Sequence, residues 1–370
     1  MAARPAARRL VAVVVAVAAG FRPSPRAPRA SALLRRASED DTEWDRFSEF
    51  NRGTWRGRCR SICVDAKRRT ADLDAQLDGR RYTSTVRTSR SGVDEELLWD
   101  DAAGAASFKA GAKTLVNDFD GSYSADFAAH NFVEAAAPCW AAEAGLAVAD
   151  DERVRVHASY DGGGSLVRVA YLDEVRVGSA AKVEGAAVAD HVSDVFALAG
   201  EWRGDATLRK PGVGCVNVLK QDLALQTDGD RLFRSLTVYD AAGAQVQKLE
   251  SFGDVTFPTK GGDFEFVVFR DTDTVLCLLS GMFVLAPLSI SDDEPFFIES
   301  GIFVEEAQED AQANGGQQLP ISVRGDADDA DLVVSDSSRF LSRSVRLYAK
   351  DRSLHSVTTS YHQLYDCFAE

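Results

Sequence analysis

A five-residue motif, Gly-x-Trp-Arg-Gly, occurs twice in this chain and constrains its fold more than any other feature. The first copy occupies residues 53–57 and the second occupies residues 200–204. A short apolar segment precedes each copy, and strand-like sequence follows it. Because the two copies are separated by about the length of one small domain, the repeat predicts two related modules in tandem.

The residue types of the motif suit the start of a closed sheet. A glycine allows the chain to turn tightly into its first strand, and a large indole can close the end of a small barrel. The motif residues are Gly53, Trp55, Gly57, Gly200, Trp202 and Gly204. The pattern resembles the opening of lipocalin-like (calycin) barrels, which implies that both tryptophans form barrel floors. The alternative is that the indoles contact a ligand or a partner directly.

Two arginines are candidates for packing on these indoles. An arginine placed over a tryptophan ring is held by stacking and cation–π attraction. Residues 154–157, near the end of the first module, parallel residues 345–348 near the end of the second, and each segment carries an arginine shortly before a turn. We therefore predict that Arg155 lies over Trp55 and that Arg346 lies over Trp202. The alternative is that both are exposed strand arginines in cross-strand ion pairs.

The first 38 residues differ in composition from the rest of the chain. They contain eight arginines and no carboxylate. An apolar run at residues 10–19 is too short to span a bilayer as a stable helix and ends in small residues, which is typical of a secretory signal. The basic, Ser/Ala-rich stretch after Phe21 is typical of a transit peptide. Together they resemble the bipartite presequence of algae with secondary plastids and imply the chloroplast (plastid) stroma; a secretory signal with a basic propeptide is the alternative.

Net charge narrows the classes of partner. The chain carries a formal charge of −15, and its first 38 residues contribute +8, so residues 39–370 carry −23. Nucleic acids and anionic membrane surfaces repel a protein of this charge. We therefore expect no nucleic-acid partner and no stable membrane insertion. An acidic surface fits either a partner with basic patches or plain solvation.

Six cysteines are spread along the chain without the spacing of a zinc site. Cys59 and Cys63 are predicted to share one face of a strand, but no second Cys/His pair lies at a usual distance. We expect reduced, partly buried thiols, which suit a stromal protein because structural disulfides form mainly in oxidising compartments. A disulfide is the alternative if the chain is secreted.

Strand and turn signals place the mature chain in the all-β class. Short β-branched or alternating segments are separated by turn residues, and helical periodicity is confined to lead-in segments at 41–50 and 192–198. Serial hairpins of this kind fit antiparallel up-and-down barrels. We predict a presequence at 1–38, a first lipocalin-like barrel at 39–188 and a second at 189–370. Each barrel is opened by a short helix and a Gly-x-Trp strand.

Catalytic and cofactor-binding motifs are absent from the sequence. It has no Gly-x-Ser-x-Gly elbow, no phosphate-binding loop and no His-Glu-x-x-His helix. The five histidines are scattered, and the acidic run 326–331 is better explained as a solvated loop than as a metal site. We therefore expect no catalytic, cofactor-binding or metal site, and a protein that is not an enzyme.

The second module contains one long apolar region. Residues 281–290 and 295–304 are almost wholly apolar. Core strands of a barrel explain this composition. A cavity for a small hydrophobic ligand, or an apolar strip that meets a partner, would be a functional alternative.

The same region carries a family resemblance. Together with the Gly-x-Trp motifs and the terminal strand pair at 343–354, it resembles the family of the biogenesis factor required for chloroplast ATP synthase, found in cyanobacteria and plastids. The resemblance covers most of residues 43–370. It implies a non-enzymatic assembly chaperone of two barrels that contacts the β and γ subunits of the ATP synthase head. The acidic insert 305–331 departs from the family pattern.

Two further hypotheses come from different functional classes. A lipocalin-like carrier would hold a lipid or pigment in an open apolar cavity. A bilin chromophore lyase would also be a calycin barrel, although such enzymes usually have one barrel rather than two. A tightly bound small molecule would distinguish both from an assembly factor.

Overall fold

A computed structural model gives the architecture of the chain between residues 43 and 366. The described residues are 43–75, 77–89, 92–101, 105–111, 116–117, 123–128, 140–149, 151–178, 198–211, 214–256, 264–291, 293–305 and 339–366. The predicted presequence and the predicted boundary at 188/189 lie outside these residues. So do the acidic insert after residue 305 and the second lead-in helix up to residue 197.

The first half of the chain forms one helix and an antiparallel sheet of ten strands. Helix α1 spans Glu43–Asn51, close to the predicted segment. The strands are β1 (Gly53–Asp65), β2 (Thr70–Leu73), β3 (Arg81–Ser89), β4 (Gly92–Trp99), β5 (Ala105–Gly111), β6 (Val116–Asn117), β7 (Tyr123–Ala128), β8 (Trp140–Ala149), β9 (Glu152–Tyr160) and β10 (Leu166–Arg176). Their order is β5-β4-β3-β1-β10-β9-β8-β7-β6, and β2 pairs with β1.

This first sheet curls without closing. Strand β5 lies close to β7, so the two edges of the sheet approach each other. Within the described residues, however, the hydrogen-bonded order ends at β5 on one side and at β6 on the other. Strand β6 pairs with β7, and none of its described residues pairs with β5. The prediction of a closed first barrel is therefore wrong for the described part of the chain.

The second half forms a closed barrel, as predicted. Its ten antiparallel strands are β11 (Gly200–Lys210), β12 (Gly214–Asp228), β13 (Arg231–Tyr239), β14 (Gln245–Thr256), β15 (Phe264–Phe269), β16 (Thr274–Leu279), β17 (Met282–Pro287), β18 (Phe296–Glu305), β19 (Arg339–Tyr348) and β20 (Leu354–Asp366). Each strand pairs with its neighbours in sequence, and β20 pairs with β11 to close the barrel. The all-β, antiparallel class is confirmed.

The two halves pack against each other through an apolar interface. Strands β15, β16 and β17 are buried at every position, because one face of each lines the barrel and the other meets the first sheet. The inward side chains include Val267, Phe269, Leu276, Leu278, Phe283 and Leu285. The outward side chains join residues of β1 and β8–β10 in one continuous core, and include Phe264, Val268, Val275, Cys277, Met282 and Val284. The long apolar region is therefore core on both of its faces.

Polar contacts fix the register of this interface. The hydroxyl of Tyr171 donates to the main-chain oxygen of Cys277 at 2.7 Å. The amide of Ile290 donates to the main-chain oxygen of Gly164 at 2.7 Å. Gly164 has a φ of +79°, and a Cβ there would lie 2.1 Å from the carbonyl oxygen of Ile290. Only glycine fits the turn that joins the β9–β10 hairpin to the second barrel.

Candidate functional site

The two copies of the Gly-x-Trp motif fold into matching local structures. Trp55 and Trp202 are fully buried. Each indole N–H donates to the main-chain oxygen four residues earlier, in Asn51 at 2.9 Å and in Leu198 at 3.1 Å. Asn51 ends helix α1, so the first tryptophan is fastened to the lead-in helix. The repeat in the sequence is thus also a repeat in local geometry, while the barrel-floor role stays a prediction.

The last glycine of each motif copy allows a close approach. A Cβ at Gly57 would lie 2.4 Å from the ring of Tyr82, and a Cβ at Gly204 would lie 1.8 Å from the main-chain oxygen of Tyr361. The first neighbour is the end of a side chain, whereas the second is the backbone of the paired strand β20. The first glycine of each copy begins its strand, β1 or β11.

The arginines over Trp55 are not the predicted one. The guanidinium carbons of Arg153 and Arg176 lie 4.3 Å and 4.6 Å from the centre of its ring. Arg155 lies two residues further along β9 and ion-pairs with Glu174 instead, at 2.8 Å. The prediction for Arg155 is wrong because the register sets Arg153 opposite Glu174, which in turn pairs with the motif strand β1 beside Trp55.

Arg346 does not lie beside Trp202 either. The inward register of β19 is taken by Arg343 and the other odd-numbered residues that line the barrel. Arg346 therefore points outward, where its Nη1 donates to the main-chain oxygen of Glu143 in the first module at 3.0 Å. Its Nε donates to the hydroxyl of Tyr348. Because it is buried between the two modules, the alternative of an exposed ion pair is also wrong.

Buried charges occupy the interior of the first module. Glu174 accepts from Arg153 at 2.5 Å and from Arg155 at 2.8 Å, and Tyr82 donates its hydroxyl to the same carboxylate at 2.9 Å. Arg155 also binds Glu95 at 2.6 Å. Burial by itself would raise the pKa of Glu174, but the two arginines outweigh burial and lower it. We call Glu95, Arg153, Arg155 and Glu174 the first charge network.

A smaller charge cluster crosses the second barrel. Glu299 on β18 accepts from Arg234 at 2.6 Å, and from two nitrogens of Arg343 at 2.5 Å and 3.1 Å. Arg343 also donates to the side-chain oxygen of Gln221 at 2.8 Å. All four side chains are buried. We call Gln221, Arg234, Glu299 and Arg343 the polar belt.

The electrostatics of the polar belt leave one excess positive charge. Burial raises the pKa of Glu299, but Arg234 and Arg343 lower it by more, to about 2. Glu299 is therefore ionised at neutral pH and opposes two guanidinium groups. His362 is near this cluster, and burial, followed by the charge of Arg343, lowers its pKa to about 3. The histidine is therefore neutral and leaves the charge of the belt unchanged.

A cavity of about 70 Å³ lies beside the polar belt. Such a volume accommodates several water molecules. Apart from the belt, its walls are mainly apolar, and include Leu208, Leu219, Leu236, Val238, Leu249, Phe297, Val345 and Leu347. A second cavity of about 20 Å³ lies across Arg234 and Glu299, with Leu198 and Phe303 among its lining residues. Since Leu198 and Phe303 both contact Trp202, the belt separates the tryptophan end of the barrel from the larger cavity.

The belt residues were not found from the sequence, although a signal for them exists. Strand β13 alternates as Leu232-x-Arg234-x-Leu236, and β18 alternates as Phe297-x-Glu299. In each case a charged residue occupies a position in the apolar register of an alternating strand, which places it inside the barrel. Arg343 interrupts β19 in the same way. Charged residues at apolar positions of three strands of one predicted barrel would have indicated a buried ion cluster.

The described residues give no sign of a metal centre. None of their His, Cys, Asp and Glu side chains form a group of three that could hold a metal ion. No disulfide joins the four cysteines in the described part of the chain, which are Cys59, Cys63, Cys215 and Cys277. Burial is the largest cause that raises the pKa of the Cys59 thiol, to about 12, so this cysteine is poorly reactive. Among the same residues, no helix has the length and apolarity needed to cross a bilayer.

Comparison with known families gives a match within the second module. Residues 191–311 match the family model described as "Biogenesis factor required for ATP synthase 1, C-terminal domain". The family resemblance is confirmed. The matched segment contains β11–β18 of the closed barrel, and therefore includes Gln221, Arg234 and Glu299 of the polar belt. No curated protein sequence matches the chain significantly.

Solved structures extend the likeness beyond the segment that matches this family. A protein of unknown function from the DUF3598 family of Nostoc punctiforme PCC 73102 aligns with a TM-score of 0.57 and 17% identity, covering 88% of this chain and 99% of that chain. At this identity the likeness concerns the fold alone, and it includes both halves of the chain. A mutant of Transferrin Binding Protein B from Haemophilus parasuis Hp5 aligns with a TM-score of only 0.23 and 9% identity, over 84% of this chain and 75% of that chain.

Proposed function

We propose that this chain is a non-enzymatic assembly factor of the plastid stroma that acts in ATP synthase biogenesis. The observation that carries the proposal is the match of residues 191–311 to the C-terminal domain of the ATP synthase biogenesis family. The finer proposal is that it binds the β and γ subunits of the soluble head. That part rests on the resemblance of the sequence to this family.

One face of the second barrel is suited to such a partner. Strands β15–β18 are covered by the first module, whereas β14 carries an exposed phenylalanine that packs on a half-buried one of β13. Phe252 is 61% exposed, and its ring lies 4.8 Å from that of Phe233 on the neighbouring strand. Aromatic side chains that are exposed at a surface are typical anchors of protein interfaces. Both residues lie inside the segment that matches the family, so we propose that this face contacts the ATP synthase subunits.

The proposal is tested by deleting the gene and measuring assembled ATP synthase on native gels. We expect the assembled complex to fall severalfold while its subunits are still synthesised, and reintroduction of the wild-type chain to restore it. A Phe252→Ser variant should restore it only partly. The matched control is Leu98→Ser, because Leu98 is 49% exposed but lies on β4 of the first module. Normal amounts of assembled complex in the deletion strain would refute the proposal.

A carrier of a small ligand is a second candidate function. It is favoured by one observation, the cavity beside the polar belt of the second barrel. The two functions are compatible, because the cavity lies inside the barrel and the proposed contact face lies outside it.

A further inference from the structure

We propose that the second barrel binds a small amphipathic carboxylate, with its carboxylate on Arg234 and its apolar body in the cavity beside the polar belt. This site does not depend on the role in ATP synthase biogenesis. Four features of the cavity support it: its charge, its unused hydrogen-bond donors, the composition of its walls and its position in the barrel.

The net positive charge of the cavity lining favours the binding of an anion. Its lining contains two guanidinium groups, from Arg234 and Arg343, and one carboxylate, from Glu299. One positive charge is therefore left without a counter-charge in the lining. An uncompensated charge in a buried, apolar environment is costly. A ligand with a single negative charge would neutralise the cavity, whereas a neutral lipid would leave the charge in place.

Hydrogen-bond donors in the lining lack acceptors. The side chain of Arg234 is 9% exposed and donates one hydrogen bond within the described residues, from Nη2 to Glu299. Its remaining N–H groups are thus open to a ligand. The side-chain nitrogen of Gln247, on the adjacent strand β14, is buried without a partner in the described part of the chain. Since buried donors are nearly always satisfied, a carboxylate that accepts from Arg234 would complete the inner end of the site. Gln247 lies opposite Val238, four residues along β13 from Arg234, and is a separate donor nearer the β13–β14 turn.

The N–H donors of Arg343 already have acceptors, so we assign the carboxylate of the ligand to Arg234. Three nitrogens of Arg343 donate to Glu299 and Gln221. A guanidinium with two open N–H groups matches the spacing of the two oxygens of a carboxylate, so a bidentate pair can form. The geometry therefore points to one anion-binding arginine rather than to a symmetric pair.

The walls select for an apolar body. Eight aliphatic or aromatic side chains line the cavity around the polar end, from Leu208 to Leu347. Ligand sites with mostly apolar walls and a few polar groups are typical of amphipathic small molecules. Lining residues Val238, Gln247 and Ser356 lie close to the β13–β14 and β19–β20 turns. The ligand would therefore enter from that end of the barrel, opposite Trp202.

The experiment is a calorimetric titration of purified residues 39–370 with straight-chain carboxylates from acetate to hexanoate. We expect the affinity to rise with chain length, by up to roughly fourfold per methylene, until the cavity is filled. The matching primary alcohols should bind at least about tenfold more weakly, because they lack the charge that pairs with Arg234. Equal binding of alcohols and carboxylates would overturn the proposal, and so would the absence of saturable binding.

Two variants and a control assign the site. Arg234→Met should weaken carboxylate binding at least about tenfold. Arg231→Met, on the same strand but exposed and paired with Asp254, should leave it unchanged. Glu299→Gln should strengthen binding, because it removes the carboxylate that competes for Arg234. If Glu299→Gln weakens binding, or if both arginine variants bind like wild type, the anion is not held by Arg234. Inorganic phosphate that binds as tightly as hexanoate would exclude a role for the apolar walls.

Discussion

The interiors of the two modules differ, although both modules open with the same motif. In the first module, Glu174 is held by two arginines and a tyrosine, and Arg155 has a second carboxylate partner in Glu95. In the second module, Glu299 is the sole carboxylate in the cavity lining and serves both arginines. The interior of the first module therefore has enough carboxylates to pair with its arginines. The interior of the second module has one positive charge in excess and contains a cavity.

This difference shows what the motif determines and what it does not. Gly-x-Trp fixes how each first strand begins, and in both copies the indole N–H finds the carbonyl four residues earlier. It does not determine whether the sheet closes or what fills it. Those properties depend on side chains contributed by strands far away in the sequence, such as β9, β13 and β18.

The largest effect is expected when the two modules are separated. Residues 189–370 expressed alone would expose the outward side chains of β15–β17, including Phe264 and Val275, which are buried against the first sheet. An apolar surface of this kind promotes aggregation. We expect the fragment to aggregate or to bind a hydrophobic dye, as measured by size-exclusion chromatography and dye fluorescence. A soluble monomeric fragment with dispersed amide signals would show that the barrel does not need the first module, and residues 39–370 are the control.

The second-largest effect is expected when the central carboxylate of either module, Glu174 or Glu299, is removed. Breaking a buried ion pair by removing one partner costs roughly 3–5 kcal/mol in free energy of unfolding. We expect Glu299→Ala to be the more severe, because Arg234 and Arg343 both lose their carboxylate, whereas after Glu174→Ala the side chain of Arg155 still has Glu95. Urea unfolding of both variants measures the difference. The control is Glu250→Ala, an exposed pair with Lys248, and a larger loss for Glu174→Ala would contradict the comparison.

Two side chains of the second barrel, Glu299 and His362, should make the protein sensitive to acid. The pKa of Glu299 is about 2 in the folded state and near 4.5 when unfolded. Its contribution, roughly 3 kcal/mol, is present above pH 4.5 and is lost as the pH falls towards 2. His362 has a folded pKa of about 3 against 6.5 unfolded. The unfolded state therefore binds its proton first, and stability already falls as the pH drops below 6.5.

Two variants separate the contributions of His362 and Glu299 to the loss of stability at low pH. We expect the free energy of unfolding of His362→Leu, measured with urea from pH 7 to pH 3, to stay nearly constant between pH 6.5 and pH 4.5. In Glu299→Gln the decrease in stability below pH 4.5 should become smaller, and Glu174, whose pKa is also lowered in the folded state, accounts for part of what is left. An unchanged pH profile in both variants would show that the acid response arises elsewhere in the molecule.

The two motif glycines should respond differently to the same substitution. In Gly204→Ala the new Cβ meets the backbone of β20, whereas in Gly57→Ala it meets the end of the Tyr82 side chain. A backbone clash requires the two strands to move apart. We expect a loss of roughly 3 kcal/mol for Gly204→Ala and roughly 1 kcal/mol for Gly57→Ala, measured by thermal unfolding. Equal losses would mean that Tyr82 is held as rigidly as the backbone.

The smallest effect concerns one hydrogen bond of the module interface. Tyr171→Phe removes the bond from the hydroxyl to the main-chain oxygen of Cys277 and leaves that buried oxygen without this donor. We expect a loss of about 1 kcal/mol in the free energy of unfolding. Tyr361→Phe is the control, because Tyr361 is 48% exposed and should change stability little. A neutral Tyr171→Phe would show that apolar packing alone fixes the interface.

The sequence predicted the second module better than the first. The closed barrel was predicted because its strands show apolar alternation or, in β15–β17, unbroken apolar runs between clear turn residues. In the first module, β2, β5 and β8 carry no such signal: β2 has four residues, and β5 and β8 are rich in alanine and glycine, which have low strand propensity. Pairing with neighbouring strands, which a local pattern does not reveal, stabilises them.

The candidate site was harder to predict than the fold. Trp55 and Trp202 were recognised, but Arg155 was assigned the contact that Arg153 makes, because a parallel between segments does not specify register to within two residues. Arg234, Arg343 and Glu299 come from three strands, and only the closed barrel brings them together. Strands β15–β17 are buried on both faces because the first module packs against them. Composition alone does not reveal where the first module lies.

The most direct test of the proposed function is quantitative mass spectrometry of proteins that co-purify with tagged residues 39–370 from a plastid extract. The proposal predicts enrichment of the β and γ subunits of ATP synthase with the wild-type chain and with Leu98→Ser, and a marked loss with Phe252→Ser. The absence of any ATP synthase subunit from the wild-type sample, under conditions that retain known weak complexes, would contradict it.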